Sequence, residues 1–185
     1  VGLAAAGIPI GSDGLLEVGA DMRVNDRIAA IGDVVAGPPL AHKASAEAIV
    51  AAEALSGRPS AYEPAAVPIV ICSDPEIATI GLVEAAAREQ GMDVRVASFP
   101  LPASGRAASL GAREGFTQLV MDAGTDRIVG VHIVGPRAGE LAANGTLAIE
   151  MMASAADLAG TIHPHPTLSE GLHEALKEHV KQKIG

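Results

Sequence analysis

One cysteine, one tyrosine, two phenylalanines and no tryptophan are all that 185 residues contain of these types. The lone Cys72 excludes an internal disulfide framework. With aromatics at 2%, the core must be built from small and aliphatic side chains, and alanine fills about a fifth of the positions. Basic residues are also few: 13 Lys and Arg against 22 Asp and Glu leave a net charge of −9. Neither nucleic acid nor an anionic membrane surface would attract such a chain. No apolar run approaches the roughly 20 residues of a membrane span, and no basic-then-apolar leader is seen. The chain begins at Val1 rather than methionine, which suggests a processed chain or an excised segment. These absences predict a soluble, cytoplasmic protein.

What is present is globular in character. Hydrophobic residues make up 49% of the chain, well above a disordered composition. The stretch "ALSGRPSAYEPAAVP", residues 54–68, reads as punctuation between two structured pieces, because three prolines and a glycine interrupt it. The first piece, residues 1–60, contains the short apolar strand "RIAAIGDVV", the loop "AGPPL" and a helix over residues 41–55. It is too small and open to be a complete domain.

The second piece, residues 65–185, mixes elements. "VPIVIC" reads as a strand with Cys72 as a small buried hydrophobe at its end. "LVEAAAREQG" is a helix with a glycine stop, and "DVRVASFPL" alternates as a strand. "GFTQLVMDAGTDRIVGVHIVG" is a hairpin turning at "AGTD". Two helices follow, and a last one starts near Leu168 with Leu168, Leu172, Leu176 and Val180 at spacings of four. Its lysines, Lys177, Lys181 and Lys183, read as a solvated face. Strands and helices without strict alternation predict an α+β fold.

Two stretches carry chemistry. In "HPHPTLSE", His163 and His165 each precede a proline, which restricts their backbones to extended conformations and so restricts the ring directions. Glu170 has two possible roles. Thr167-x-x-Glu170 is a capping box for the last helix. Glu170 could equally accept a hydrogen bond from His165, fixing its tautomer and raising its basicity. A metal site is disfavoured, because the prolines oppose a paired strand and no cysteine or carboxylate cluster completes a ligand spacing. His132, in the hairpin, reads as a strand-face residue.

The other stretch is "AAIGDVVAGPPLAHKA". Asp33 follows an apolar strand, where open α/β folds place ligand contacts, and it could accept hydrogen bonds from a sugar-like hydroxyl. The backbone N–H groups at the start of the next helix, near Ala41 and His42, can hold partial negative charge. The plainer reading is an aspartate that opens a turn. No GxGxxG or P-loop is present, so the chain contains no whole nucleotide-binding unit.

Together these stretches resemble the C-terminal part of the flavoprotein disulfide oxidoreductases of the dihydrolipoamide dehydrogenase type. "AIGDVV…LAHKA" resembles the family's second flavin-contact motif, "HPHPTLSE" its His-Pro signature, and "DRIVGVHIVG" its interface-domain hairpin. The resemblance implies an interface domain with a mixed or antiparallel sheet and flanking helices, preceded by the tail of an FAD-binding α/β domain. It implies that Asp33 binds the ribityl part of FAD, with Pro39, Leu40, Ala41 and His42 near the flavin ring. His165 would be the catalytic base and Glu170 its orienting partner, acting across a homodimer. NAD would be co-substrate, and a lipoyl-bearing protein or small dithiol the substrate. The family's redox cysteine pair and first FAD fingerprint have no counterpart in these 185 residues, so this chain alone is expected to be inactive. A self-association module without catalysis, or a paralogue acting on another disulfide, are the alternatives.

Overall fold

A computed structural model describes the backbone of residues 2–184, and their side chains apart from 178 and 181–184. Lys177 is exposed; the solvated-face reading of Lys181 and Lys183 lies outside the described residues. The chain forms two compact units, Val1–Pro64 and Ala65–Gly185.

In the first unit, β1 (Arg23–Asn25) and β2 (Ile28–Ala29) form a small antiparallel ribbon. The Asn25 carboxamide closes its turn by accepting from the Arg27 and Ile28 N–H groups, each at 3.0 Å. The strand expected to run through "RIAAIGDVV" stops at Ala29. Gly32 has φ +75°, a conformation that ends extension, and Gly32–Val34 close a 3-10 turn. Helix α1 (Ala41–Leu55) occupies the residues the sequence predicts. Its alanines and unbranched side chains favour helix, and Gly57 at φ +79° follows its end. The buried stripe of α1 is Lys43, Glu47, Ala51 and Ala54, at helical spacing, so half of it is charged. Met22, Ala30, Val35 and Ala51 form the small core of this unit.

The second unit is built on a five-stranded sheet. Its strands are β3 (Ile69–Ile71), β4 (Ile77–Gly81), β5 (Val94–Pro100), β6 (Phe116–Asp122) and β7 (Ile128–Val134), in the order β3-β4-β7-β6-β5. Every neighbouring pair is antiparallel. The β6–β7 hairpin turns where the sequence predicts, held by the Asp122 carboxylate accepting from the Thr125 N–H at 2.7 Å. The sequence reading passed over β4, although Ala78 and Ile80 alternate inward with Thr79 between them. Cys72 is also corrected: β3 is an edge strand that ends at Ile71, and the free thiol is exposed rather than buried.

Helices α2 (Glu84–Glu89), α3 (Gly105–Ser109), α4 (Ala138–Glu150), α5 (Ala155–Gly160) and α6 (Glu170–Ile184) complete the unit. Period-two alternation divides the strand residues between two helical layers. Leu119, Met121, Val131 and Ile133 pack with Ala142 and Ile149 of α4 and Leu172 and Leu176 of α6. Val120 points the other way, toward Ala87 of α2. Burial of each large aliphatic chain contributes about 1.5–3 kcal/mol. Gly145 lets α4 approach closely, since a Cβ there would lie 3.0 Å from Val131. The architecture is α+β. No helix among the described residues is long and apolar enough to cross a membrane.

Candidate functional site

Helix α6 places Glu170. Leu172 and Leu176 are fully buried against the sheet, which fixes the rotation of the helix and hence the direction of its first turn. Gly171 allows that turn to come close to β6, because a Cβ there would meet the Thr117 hydroxyl at 2.7 Å. The preceding loop is braced by the Thr167 hydroxyl, which donates to the Pro164 carbonyl at 2.7 Å. His163–Pro164 is trans and His165–Pro166 is cis.

The two roles considered for Glu170 occur together. One carboxylate oxygen, Oε1, lies 2.7 Å from His165 Nδ1. The other, Oε2, accepts from the Thr167 backbone N–H at 2.7 Å, which is the glutamate half of a capping box. An ionised carboxylate can only accept, so Nδ1 carries the proton and Nε2 keeps a free lone pair. The Thr167 N–H, and after it the His165 ring, hold the Glu170 carboxyl below the usual carboxylate range. Glu170 is 20% exposed and His165 80% exposed, so the carboxylate is sheltered while the imidazole faces outward. Beside the loop, an open groove of about 380 Å³ is lined by Pro166, Thr167, Ser169, Arg106 and Arg137. The pair can therefore take a proton from a group that approaches from outside.

The other histidines take separate places. The rings of His163 and His173 tilt against each other with centroids 5.8 Å apart. His163 Nε2 and His173 Nδ1 are both buried without a hydrogen-bond partner among the described residues. His179 Nε2 lies 2.8 Å from Asp126 Oδ1, tying α6 to the hairpin turn. His132 is a buried residue of β7, with Nε2 3.2 Å from the Leu82 carbonyl. Burial lowers its pKa, against the opposing pull of that carbonyl. Among the described residues no group of three or more His, Cys, Asp or Glu could hold a metal ion.

The remaining expected residues lie in the first unit. Asp33 is exposed in the 3-10 turn, and its carboxylate makes no hydrogen bond or ion pair among the described residues. The turn packs on the start of α1, with the Gly32 Cβ position 3.3 Å from Ala44. Pro39, Ala41 and His42 are exposed and Leu40 is half-buried. Leu40 is the N-cap of α1 and supplies no side-chain acceptor, and no acidic residue lies in the first turn. An exposed acceptor carboxylate beside a proline-shaped loop suits a ligand that presents hydroxyls. FAD carries such hydroxyls on its ribityl chain, so Asp33 could accept from it.

The sequence reading missed two residues of this arrangement. Lys43 and Glu47 form a buried ion pair at 2.8 Å, beneath the Asp33 turn. The signal was a Lys and a Glu four residues apart on the face that also carries Ala51 and Ala54.

Residues 67–176 match the family model described as pyridine nucleotide-disulphide oxidoreductase, dimerisation domain. The chain is 49% identical over all 185 residues to a dihydrolipoyl dehydrogenase of Thermus scotoductus, covering 40% of that protein. It is 49% identical over 174 residues to one of Halobacterium salinarum, covering 94% of this chain and 37% of the other. Among solved structures, LpdA from Mycobacterium tuberculosis superposes with a TM-score of 0.86 at 27% identity, covering 96% of this chain and 39% of that one. The chain thus spans about two-fifths of the length of these relatives. Since the matched segment is more than half of the chain, the protein belongs to the family of the pyridine nucleotide-disulphide oxidoreductase dimerisation domain.

Proposed function

We propose that this chain supplies the acid–base pair and the subunit interface of a dihydrolipoamide dehydrogenase-type flavoenzyme. Residues 1–60 are the tail of its FAD-binding domain and residues 65–185 its interface domain. The observation that carries the reading is the His165 Nδ1–Glu170 Oε1 bond of 2.7 Å, with the imidazole outward.

The chemistry follows from thiol acidity. A dithiol with a pKa near 8.5 is mostly protonated at neutral pH and attacks a disulfide slowly. His165 Nε2 takes the thiol proton, and Glu170 stabilises the imidazolium through Nδ1–H. The thiolate then forms a new S–S bond to the enzyme's disulfide, whose own bond breaks and releases a thiolate. His165 holds the proton near that leaving sulfur. FAD, when bound, would supply the redox chemistry that links dithiol oxidation to NAD. Asp33 would accept hydrogen bonds from the ribityl hydroxyls, and Pro39, Leu40, Ala41 and His42 would lie near the flavin ring. The redox cysteines come from outside these residues, and each His165 serves the partner subunit of a homodimer.

Steady-state assay of the full-length protein with dihydrolipoamide and NAD tests the reading. Turnover there, with none from the isolated chain, is the expected result. A full-length protein that dimerises and binds FAD but oxidises no dithiol would contradict it.

A further inference from the structure

The Asp33 turn is held from below by a buried ion pair. Lys43 and Glu47 are 3% and 1% exposed and face each other one helical turn apart at 2.8 Å. Both also reach the backbone of Gly32, the residue before Asp33. Glu47 Oε2 accepts from the Gly32 N–H at 2.7 Å, and Lys43 Nζ donates to the Gly32 carbonyl at 3.2 Å. That carbonyl also accepts from the Val35 N–H at 3.2 Å, closing the 3-10 turn. Gly37 passes directly over the lysine stem, since a Cβ there would lie 2.7 Å from Lys43 Cε. One ion pair thus grips both polar groups of a single residue.

Stability alone does not account for this arrangement. Desolvation offsets most of the attraction within a buried pair, and apolar residues of similar volume often do as well or better. What the pair does supply is direction. Charge-assisted bonds to both sides of Gly32 leave the turn little freedom, and the next side chain, Asp33, inherits that orientation. Tyr62 is packed in the same core, where burial, and then the charge of Glu47, push its hydroxyl pKa up.

We infer that Lys43 and Glu47 are positioning residues for the flavin, acting through Gly32 to hold the Asp33 carboxylate at the angle its ribityl contact requires. The inference rests on the reading of Asp33 as an FAD ligand.

The experiment compares two neutral variants of the full-length flavoprotein, Lys43→Met with Glu47→Gln and Lys43→Met with Glu47→Met. They differ in whether residue 47 can accept from Gly32 N–H. FAD dissociation constants are read from flavin fluorescence, with subunit mass and circular dichroism recorded alongside. The Gln form is expected to bind FAD a few-fold more weakly than wild type, because the bond from residue 43 to the Gly32 carbonyl is lost, and the Met form roughly tenfold more weakly than the Gln form or worse. In an Asp33→Ala background the difference between them is expected to shrink to less than about twofold. Equal affinities, or a difference that persists without Asp33, would overturn the inference. If the Met form does not fold, Glu47→Asp decides, because it keeps both charges but withdraws the acceptor by one methylene. It is expected to weaken FAD binding at least threefold or so, and unchanged binding would overturn the inference. A wild-type protein that binds no FAD would sink the Asp33 reading itself, and this inference with it.

Discussion

Glu170 joins His165 to Thr167, with one carboxylate oxygen 2.7 Å from the imidazole Nδ1 and the other 2.7 Å from the Thr167 backbone nitrogen. The same side chain therefore caps α6 and sets the tautomer of the proposed base. Helix capping and the proposed proton transfer thus meet in one carboxylate.

The two roles separate on substitution. Glu170→Ala should cost about 0.5–2 kcal/mol of stability through the lost cap. Glu170→Gln keeps an acceptor for Thr167 and should retain most of that stability, while slowing dithiol oxidation in the full-length enzyme by roughly 10- to 100-fold. Urea unfolding and single-turnover kinetics on both variants measure the split. Because Glu170 has a depressed folded pKa, its contribution is present above the unfolded value. It is lost as pH falls through the folded one, below the ordinary 4.5. The stability difference between wild type and Glu170→Gln should therefore stay constant at neutral pH and close only in acid.

His132 gives a pH signature of the same sign at higher pH, from its place in the sheet. Its folded pKa is lowered by burial, so the unfolded chain binds a proton that the folded one refuses. Stability should fall as pH drops through the ordinary value of 6.5, and continue to fall until the folded pKa is reached. His132→Gln, which can still donate to the Leu82 carbonyl, should flatten this decline. Thermal unfolding of both proteins between about pH 5 and pH 8 measures it.

An apolar face is left uncovered at the end of α4. Leu147 and Met151, one helical turn apart, are 63% and 70% exposed, and Ile162 beyond α5 is 95% exposed. Exposed apolar groups of this size mark association surfaces. The isolated chain is expected to sediment as a dimer, and Met151→Glu to shift it toward monomer without loss of helical circular dichroism. A monomeric wild type would remove the interface role from this face.

Much of this was legible in the sequence because local rules decided it. Helix α1 fell on the predicted residues, since "AHKASAEAIVAAEAL" is dominated by alanine and other strong helix formers. The β6–β7 hairpin was marked by two alternating runs joined by the turn-rich "AGTD". His165 and Glu170 were readable because they lie five residues apart, within reach of one loop-to-helix junction. What stayed hidden depended on neighbours distant in sequence. Strand β4 is defined by its pairing with β7, about 50 residues away, and Cys72 is exposed because β3 has a partner on one side only. The grip on Gly32 needs Glu47, 15 residues later, and no local pattern announces that the two meet.

The central claim is that His165 removes the substrate's thiol proton. Rapid-mixing measurement of flavin reduction by dihydrolipoamide, in full-length wild type and His165→Gln, tests it most directly. The variant should remain a dimer with bound flavin, and reduction should slow by about 10²- to 10⁴-fold at neutral pH. Part of that loss should be recovered at high pH, where the thiol ionises without help. Flavin reduction at the wild-type rate in the His165→Gln dimer would contradict the account.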